Sequence, residues 1–363
     1  MLLKNNKDPA AYKTHAVDYQ RAYRETTKTQ LKRAAFLREA GSQAAISPVL
    51  SPLVENFRNT NSLLNWIFIN PKAATMETNK EISALLTLLD DPDEEVFGAV
   101  SQKIIDYGKP IIPNLEHLWE TNPDEQTQER IEVLIHRLHY RDLSEEFRQW
   151  GLSGHHDLMI GAILAGRFQY PDISSASILQ EVEKIRRNIW LELNNYLTPL
   201  EQINIVTSIL YSYYGLKGNE INYQEPAEFM LHKILEAKRG NQLGNAVLYL
   251  ILCELLDIPV KAINIPRQSV IAYFKPGYSD ENLSDPFKKI EFFIDPSSGQ
   301  VFTHKDVENY FKRISVPLTA SFFRPYSNKK VIKTLLEEMA KCFDDDKNRY
   351  KKDELNDLGF LLD

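Results

Sequence analysis

Residues 240–274 read GNQLGNAVLYLILCELLDIPVKAINIPRQSVIAYF, and this stretch decides the fold. Its first half is a long apolar run that starts after polar residues and ends at Asp257-Ile258-Pro259. Such a run between polar and proline boundaries predicts a buried helix that opens near Gln242.

Three strands are predicted after this helix. They cover Val260–Ile265, Gln268–Phe274 and Phe292–Pro296, and the third carries Asp295. Strands that follow one another closely along the chain pair most readily in an antiparallel sheet. The predicted fold class is therefore α+β, predominantly helical, with a small antiparallel sheet.

Composition narrows the class of protein. The 363 residues are 43% hydrophobic and 26% charged, as in a soluble protein of two or three domains. The formal net charge of −7 argues against broad nucleic-acid binding, which needs a concentrated basic surface. Two cysteines make no disulfide framework, no signal peptide is apparent, and no apolar run approaches a membrane span. We therefore expect a cytoplasmic protein with no membrane or nucleic-acid partner.

Residues 1–75 do not share the pattern of the rest of the chain. They mix basic residues, Ser, Pro, Asn and scattered hydrophobic residues without a helix or strand period. One interpretation is that Met76 is the natural start and that the preceding segment is a start-site overrun. The other is a genuine tail-like arm.

Residues 76–150 are predicted to form a helical layer. The motif LLDDPDEEV at 88–96 precedes a helix that ends in YGKPIIP at 107–113. Together they resemble one HEAT repeat, and a helix over Glu125–His139 follows at about the 40-residue spacing of such repeats. One or two repeats cannot bury a solenoid core, so this HEAT-like layer is expected to pack on the next domain. A plain helical bundle is the alternative.

Residues 151–315 are predicted to form the main domain, and 316–363 a C-terminal helical extension. Helices are expected over Ile173–Tyr196 and from Pro199 onward, with Thr198 as the N-cap of the second.

Several sequence segments of this region resemble the bacterial SirB-type transglutaminase-like family, whose core is related to papain-type cysteine enzymes. They are Tyr214–Asn219, Phe229–Asn241, the helix Ala246–Leu256, Ile294–Gly299 and Phe323–Lys329. The resemblance implies a core in which a Cys opens the helix, a His lies on the second strand and an Asp on the third. The matching positions here are Gln242, Gln268 and Asp295, so the expected triad is degenerate.

A glutamine has no titratable group near neutral pH and offers no nucleophile. Loss of one triad member typically costs about 10⁴ to 10⁶ in turnover. We therefore expect no catalytic residues and a non-catalytic protein- or peptide-binding or regulatory module. Gly240, Asn241 and Asn245 are expected to line the cleft. Two alternatives stay open: a hydrolase or amide-transferring enzyme with a different site, and a structural scaffold.

Other reactive side chains do not form an obvious site. Cys253 lies inside the apolar helix and Cys342 on a C-terminal helix, where packing is the default role. The run His155-His156-Asp157 is contiguous, so Asp157 is predicted to be a helix cap rather than a metal ligand. His136 and His139 have no evident third ligand. No metal and no cofactor are expected, and no phosphate-binding loop or nucleophile elbow is present.

Overall fold

The first four α-helices of the described part of the chain build a small core of their own. The computed structural model describes residues 76–91, 93–275 and 285–363, so the predictions for 1–75 lie outside the described residues. The helices are α1 (Met76–Thr87), α2 (Glu94–Tyr107), α3 (Ile112–Thr121) and α4 (Glu125–Leu152). Their buried faces meet in one hydrophobic cluster, which includes Leu89, Ile104, Leu115, Ile131 and Leu134.

Helix α4 joins this small core to the main one. It runs to Leu152, well beyond the predicted end at His139. The reason is that the apolar stripe continues through Leu143, Phe147 and Trp150, which are buried in the main hydrophobic cluster. Residues 77–363 accordingly form one compact unit.

The next helices surround the centre of the main cluster. They are α5 (Leu158–Arg167), α6 (Ser175–Glu192) and α7 (Pro199–Thr207), and α7 continues as a π-helical turn over Ser208–Tyr213. The predicted cap at Thr198 is confirmed as a capping box with Glu201. Asp157 caps α5 by accepting from the backbone N–H of Ile160, as predicted. Helix α6 is shorter than the predicted Ile173–Tyr196: Ser174 caps its start, and the chain turns extended at Leu193.

A long buried helix stands at the centre. Helix α8 (Leu231–Ala237) leads to it, and two short strands, β1 (Lys217–Asn219) and β2 (Arg239–Asn241), pair in parallel beside its start. The central helix α9 (Gln242–Leu255) begins where the sequence predicted, and its residues 243–253 are all buried. A helix that is apolar on every side is stable only inside a core. The β1–β2 pair was not predicted from the sequence.

The main sheet is antiparallel in the order β3-β4-β5-β6. Its strands are β3 (Val260–Ile265), β4 (Gln268–Phe274), β5 (Ile290–Ile294) and β6 (Val301–Phe302). The bounds of β3 and β4 agree with the prediction. The third strand was predicted over Phe292–Pro296, but β5 ends before Asp295, because Pro296 has no N–H for a ladder and starts a turn.

The sheet separates two cores. Ile271, Tyr273 and Ile294 face the main cluster around α9. The opposite face, with Phe274 and Phe293, belongs to a separate cluster that α10 (Pro286–Lys289) and α11 (His304–Arg313) cover. The last two helices, α12 (Asn328–Ala340) and α13 (Arg349–Phe360), pack in the main cluster. The chain is thus predominantly helical with small sheets, and none of the helices that the structure describes is long and apolar enough to cross a bilayer.

Candidate functional site

Gln242 and Gln268 lie side by side. Gln242 is the first residue of α9, and Gln268 is the first residue of β4. The Gln242 Nε2 donates to Gln268 Oε1 over 3.5 Å, and the Ser269 backbone N–H donates to Gln242 Oε1 over 3.3 Å. Both bonds are long, so each holds its amide weakly. Gln242 is half-buried and Gln268 is exposed, which leaves the pair accessible from solvent.

Asp295 directs its carboxylate into its own turn. The Ser297 backbone N–H donates to Asp295 Oδ1 over 2.8 Å, and the Ser298 hydroxyl donates to Oδ2 over 3.0 Å. Such bonds from two and three residues ahead are typical of an Asp-initiated turn. Within the part of the chain that the structure describes, Asp295 makes no hydrogen bond to Gln242 or Gln268.

A tyrosine anchors this turn to the helices. The Tyr211 hydroxyl donates to the Pro296 carbonyl oxygen over 2.6 Å. Burial raises the pKa of Tyr211 strongly, and the Asp295 carboxylate adds to that effect, so the phenol keeps its proton and remains a donor. The turn that carries Asp295 is therefore held from one side by the π-helical turn after α7.

Gly218 lets β1 approach the same turn. A Cβ added to Gly218 would lie 2.2 Å from the Ser297 carbonyl oxygen, which is backbone and cannot rotate away. Gly218→Ala is therefore expected to lower the free energy of unfolding by about 2 kcal/mol through overpacking. Urea denaturation measures the change. Gly98→Ala is the control: nothing lies within 4 Å of the added Cβ in helix α2, so it should stabilise by up to about 1 kcal/mol. Equal midpoints for both variants would show that β1 and the turn are not in close contact.

Gly240, Asn241 and Asn245 are buried and support the start of α9 from inside. Asn241 Oδ1 accepts from the Gly244 backbone N–H at 2.9 Å, which makes Asn241 the N-cap. Asn245 Nδ2 donates to the Lys217 carbonyl oxygen at 3.2 Å. A Cβ on Gly240 would lie 2.4 Å from Asn245 Oδ1, so glycine permits this approach. The three residues link α9 to β1 and β2.

A buried glutamate that the sequence reasoning missed belongs to the same assembly. Glu228 is 5% exposed, and its Oε1 accepts from Asn219 Nδ2 at 2.7 Å and from Arg239 Nε at 3.0 Å. Its other oxygen is buried without a hydrogen-bond partner, as are Asn241 Nδ2 and Asn245 Oδ1. In the sequence, Glu228 stands directly before two hydrophobic residues, Phe229 and Met230, which are buried, and this could have indicated a buried charge. A charge in such a setting needs a partner.

Neither native thiol is in a reactive setting. Cys253 is completely buried, and burial raises its thiol pKa strongly. Burial, together with the Glu338 carboxylate, raises the pKa of Cys342 to about 11. The thiolate is the nucleophilic form, so raised pKa values leave both thiols protonated near neutral pH.

The histidines named in the sequence analysis make separate contacts and do not meet in one site. His136 Nε2 lies 2.6 Å from Glu354 Oε2, which ties α4 to α13. His156 Nε2 lies 3.1 Å from the Gly151 carbonyl oxygen, while Asp157 caps α5. Burial lowers the pKa of His139. Over residues 76–91, 93–275 and 285–363, no three His, Cys, Asp or Glu side chains are grouped to hold a metal ion.

Three known proteins are similar to part of this chain. A "UPF0162 protein" of Xylella fastidiosa strain Temecula1 is 28% identical over 117 residues, which is 31% of this chain and 41% of that protein. The protein of the same name in strain 9a5c matches equally. The mouse "F-box only protein 21" is 24% identical over 135 residues, 37% of this chain and 20% of that protein. The chain thus matches less than half the length of these relatives, and no solved structure matches.

A family model covers the elements that build the glutamine pair. It matches residues 176–337, from the first turn of α6 into α12, and describes the transglutaminase-like superfamily. The match includes α9, the whole main sheet and the Asp295 turn. Residues 176–337 of the chain therefore constitute a transglutaminase-like superfamily domain.

Proposed function

We propose that this protein is a non-catalytic binding module of the SirB type, in which a transglutaminase-like cleft has exchanged its thiol and imidazole for two carboxamides. Its partner is a protein or peptide, and its place is the cytoplasm. The HEAT-like helices over residues 76–150 form a second surface of the same module. The observation that carries the proposal is the pair Gln242 and Gln268, placed together at the start of α9 and open to solvent.

The chemistry of the pair favours binding over turnover. Each amide offers two donors and one acceptor, which matches the backbone groups of an extended peptide. The bond between the two side chains is 3.5 Å long, so a peptide could replace it with a shorter one at little cost. In contrast, neither amide can supply a thiolate or take a proton near neutral pH.

The role of Asp295 in this proposal is structural. In an acyl-transfer triad a carboxylate orients the imidazole. With glutamine at position 268 there is no imidazole to orient, and both Asp295 oxygens bond within the turn instead. We infer that the carboxylate now keeps the turn beside β1 and so shapes one wall of the cleft.

The test is site-directed crosslinking followed by affinity measurement. A benzophenone side chain placed at position 268 of the full chain should crosslink the partner in the native host, and the same probe at Gln180 should not. Gln180 is the matched control because it is also an exposed glutamine, on α6.

The partner identified in this way is then purified. Gln242→Ala/Gln268→Ala is expected to weaken its binding at least about tenfold, or about 1.4 kcal/mol, while Gln180→Ala leaves it unchanged. Equal affinity of both variants would show that the glutamine pair is not the contact surface.

A further inference from the structure

A cavity that neither Gln242 nor Gln268 lines lies against His232, a histidine without a hydrogen-bond partner. It has a volume of about 610 Å³ between the end of α5, the start of α6 and helix α8. His232 of α8 lines it, and this residue is only 8% exposed. Both ring nitrogens of His232 are buried without a hydrogen-bond partner. Buried polar groups without partners are rare, and each costs about 1 to 3 kcal/mol.

The surroundings keep this imidazole neutral. Burial, with a smaller contribution from the Lys233 ammonium and against an opposing one from the Glu236 carboxylate, lowers the pKa of His232 from its ordinary 6.5 to about 4. In the unfolded chain the pKa of this side chain is about 6.5. At a pH between about 4 and 6.5, folding therefore releases a proton from His232. The contribution to stability is therefore complete above about pH 6.5 and is lost as the pH falls toward 4.

The variant His232→Phe is expected to remove this pH dependence. Between neutral pH and pH 4 the urea midpoint of the wild-type protein should fall further than that of the variant. Urea denaturation across this range measures both slopes. His155→Gln, which changes an exposed histidine, is the control and should follow the wild type. Parallel curves for wild type and His232→Phe would contradict a buried neutral imidazole.

The cavity walls carry excess negative charge. Asp172, Glu181 and Glu236 contribute three carboxylates and Lys233 one ammonium, so the lining has a net charge of −2. The Lys233 ammonium lies 2.9 Å from Glu236 and pairs with it. Glu181 has Lys184 at 3.6 Å, and within the described residues Asp172 has no ion-pair partner. The uncompensated charge therefore lies on the α6 side of the cavity.

The rest of the lining is apolar and aromatic. Ile173, Ile178 and Leu235 form the apolar wall. The ring of Tyr170 meets the imidazole edge at 5.0 Å between centroids and also lies beneath the Lys233 ammonium at 4.9 Å. Tyr170 is itself exposed, so rotation of its side chain would open the cavity toward His232.

We propose that this cavity binds a small organic cation, an amine with a compact apolar body, whose ammonium donates a hydrogen bond to His232 and is neutralised by Asp172 and Glu181. A neutral imidazole has one acceptor nitrogen for that bond. The apolar wall of Ile173, Ile178 and Leu235 covers the body of the ligand. The volume suits a molecule of this size. Neither Gln242 nor Gln268 lines this cavity. The proposal therefore does not depend on the function proposed for the glutamine pair.

The experiment titrates 2-phenylethylammonium into the full chain labelled with ¹³C-histidine. Saturable shifts of the His232 ring signals are expected near neutral pH, with a Kd below about 1 mM. The signals are assigned by their loss in His232→Gln. The neutral analogue 2-phenylethanol and the anion 3-phenylpropanoate should bind at least about tenfold more weakly. Absence of saturation with the amine, or equal binding of the anion, would overturn the proposal.

A second experiment repeats the amine titration with surface variants that leave the core intact. Asp172→Asn/Glu181→Gln should weaken the amine about tenfold, while Glu183→Gln, an exposed carboxylate on the same helix, should not. Equal weakening by both would mean that the charge of α6 as a whole, and not the cavity, attracts the amine. Gln242→Ala/Gln268→Ala should leave the titration unchanged, which separates this site from the cleft.

Discussion

The double variant Gln242→Cys/Gln268→His is expected to carry a thiol that iodoacetamide alkylates about 100-fold faster than Cys253 or Cys342 near neutral pH. Position 242 opens α9, where the positive end of the helix stabilises a thiolate. The amides at 242 and 268 are 3.5 Å apart, so an imidazole at 268 could reach the new thiol. The native thiols have raised pKa values and are largely covered. Site-resolved mass spectrometry over time measures each rate.

The contribution of the imidazole is isolated by a matched variant. Gln242→Cys/Gln180→His places the same two residue types in the chain, but the histidine stands on α6. Its new thiol should react about tenfold more slowly than that of Gln242→Cys/Gln268→His, because only the helix end lowers its pKa. If both thiols react at one rate, the side chain at 268 does not reach position 242, and the proposed descent of the cleft from a catalytic site loses its geometric support.

Phe293→Ala is expected to lower the free energy of unfolding by about 4 kcal/mol. Phe293 lies on β5 and is 0% exposed. Its ring contacts the rings of His304 at 5.4 Å, Phe323 at 6.0 Å and Phe287 at 6.1 Å between centroids. Truncation would leave a cavity on the face of the sheet opposite α9, and rigid strands cannot close it. Because β5 leads directly into Asp295, the same change should loosen that turn.

Urea denaturation at fixed pH measures the loss. Phe360→Ala is the control, because Phe360 is 67% exposed at the end of α13 and should change stability by less than about 0.5 kcal/mol. A loss below about 1 kcal/mol for Phe293→Ala would show that the cluster behind the sheet contributes little to the fold.

Local sequence signals predicted the elements of this domain well. The start of α9 and the bounds of β3 and β4 agree with the prediction, because α9 is a long apolar run and the two strands are short segments between polar or proline boundaries. The caps at Thr198 and Asp157 were also readable, since a capping side chain bonds within three residues of itself. The ends of α4 and β5 were misplaced, because packing partners and Pro296 decide where those elements stop.

Only part of the candidate site could be predicted from the sequence. A family spacing placed Gln242 and Gln268 at corresponding positions, and the structure brings their amides together. The family resemblance placed Asp295 in the triad, whereas both of its carboxylate oxygens bond within its own turn. The Glu228 and Arg239 pair was not predicted either, because Glu228 lies in the turn before α8 and Arg239 on β2, and only the tertiary fold brings them together.

The sequence by itself determined the residue types at the starts of α9 and β4, the apolar central helix and the strands that follow it, because those features depend on neighbours along the chain. Tertiary structure decided which of these residues meet. It joined β1 to β2, buried Asn241 and Asn245, paired His136 with Glu354, and enclosed His232 without a partner. These outcomes depend on contacts between segments far apart in sequence, and local periodicity carries no information about them.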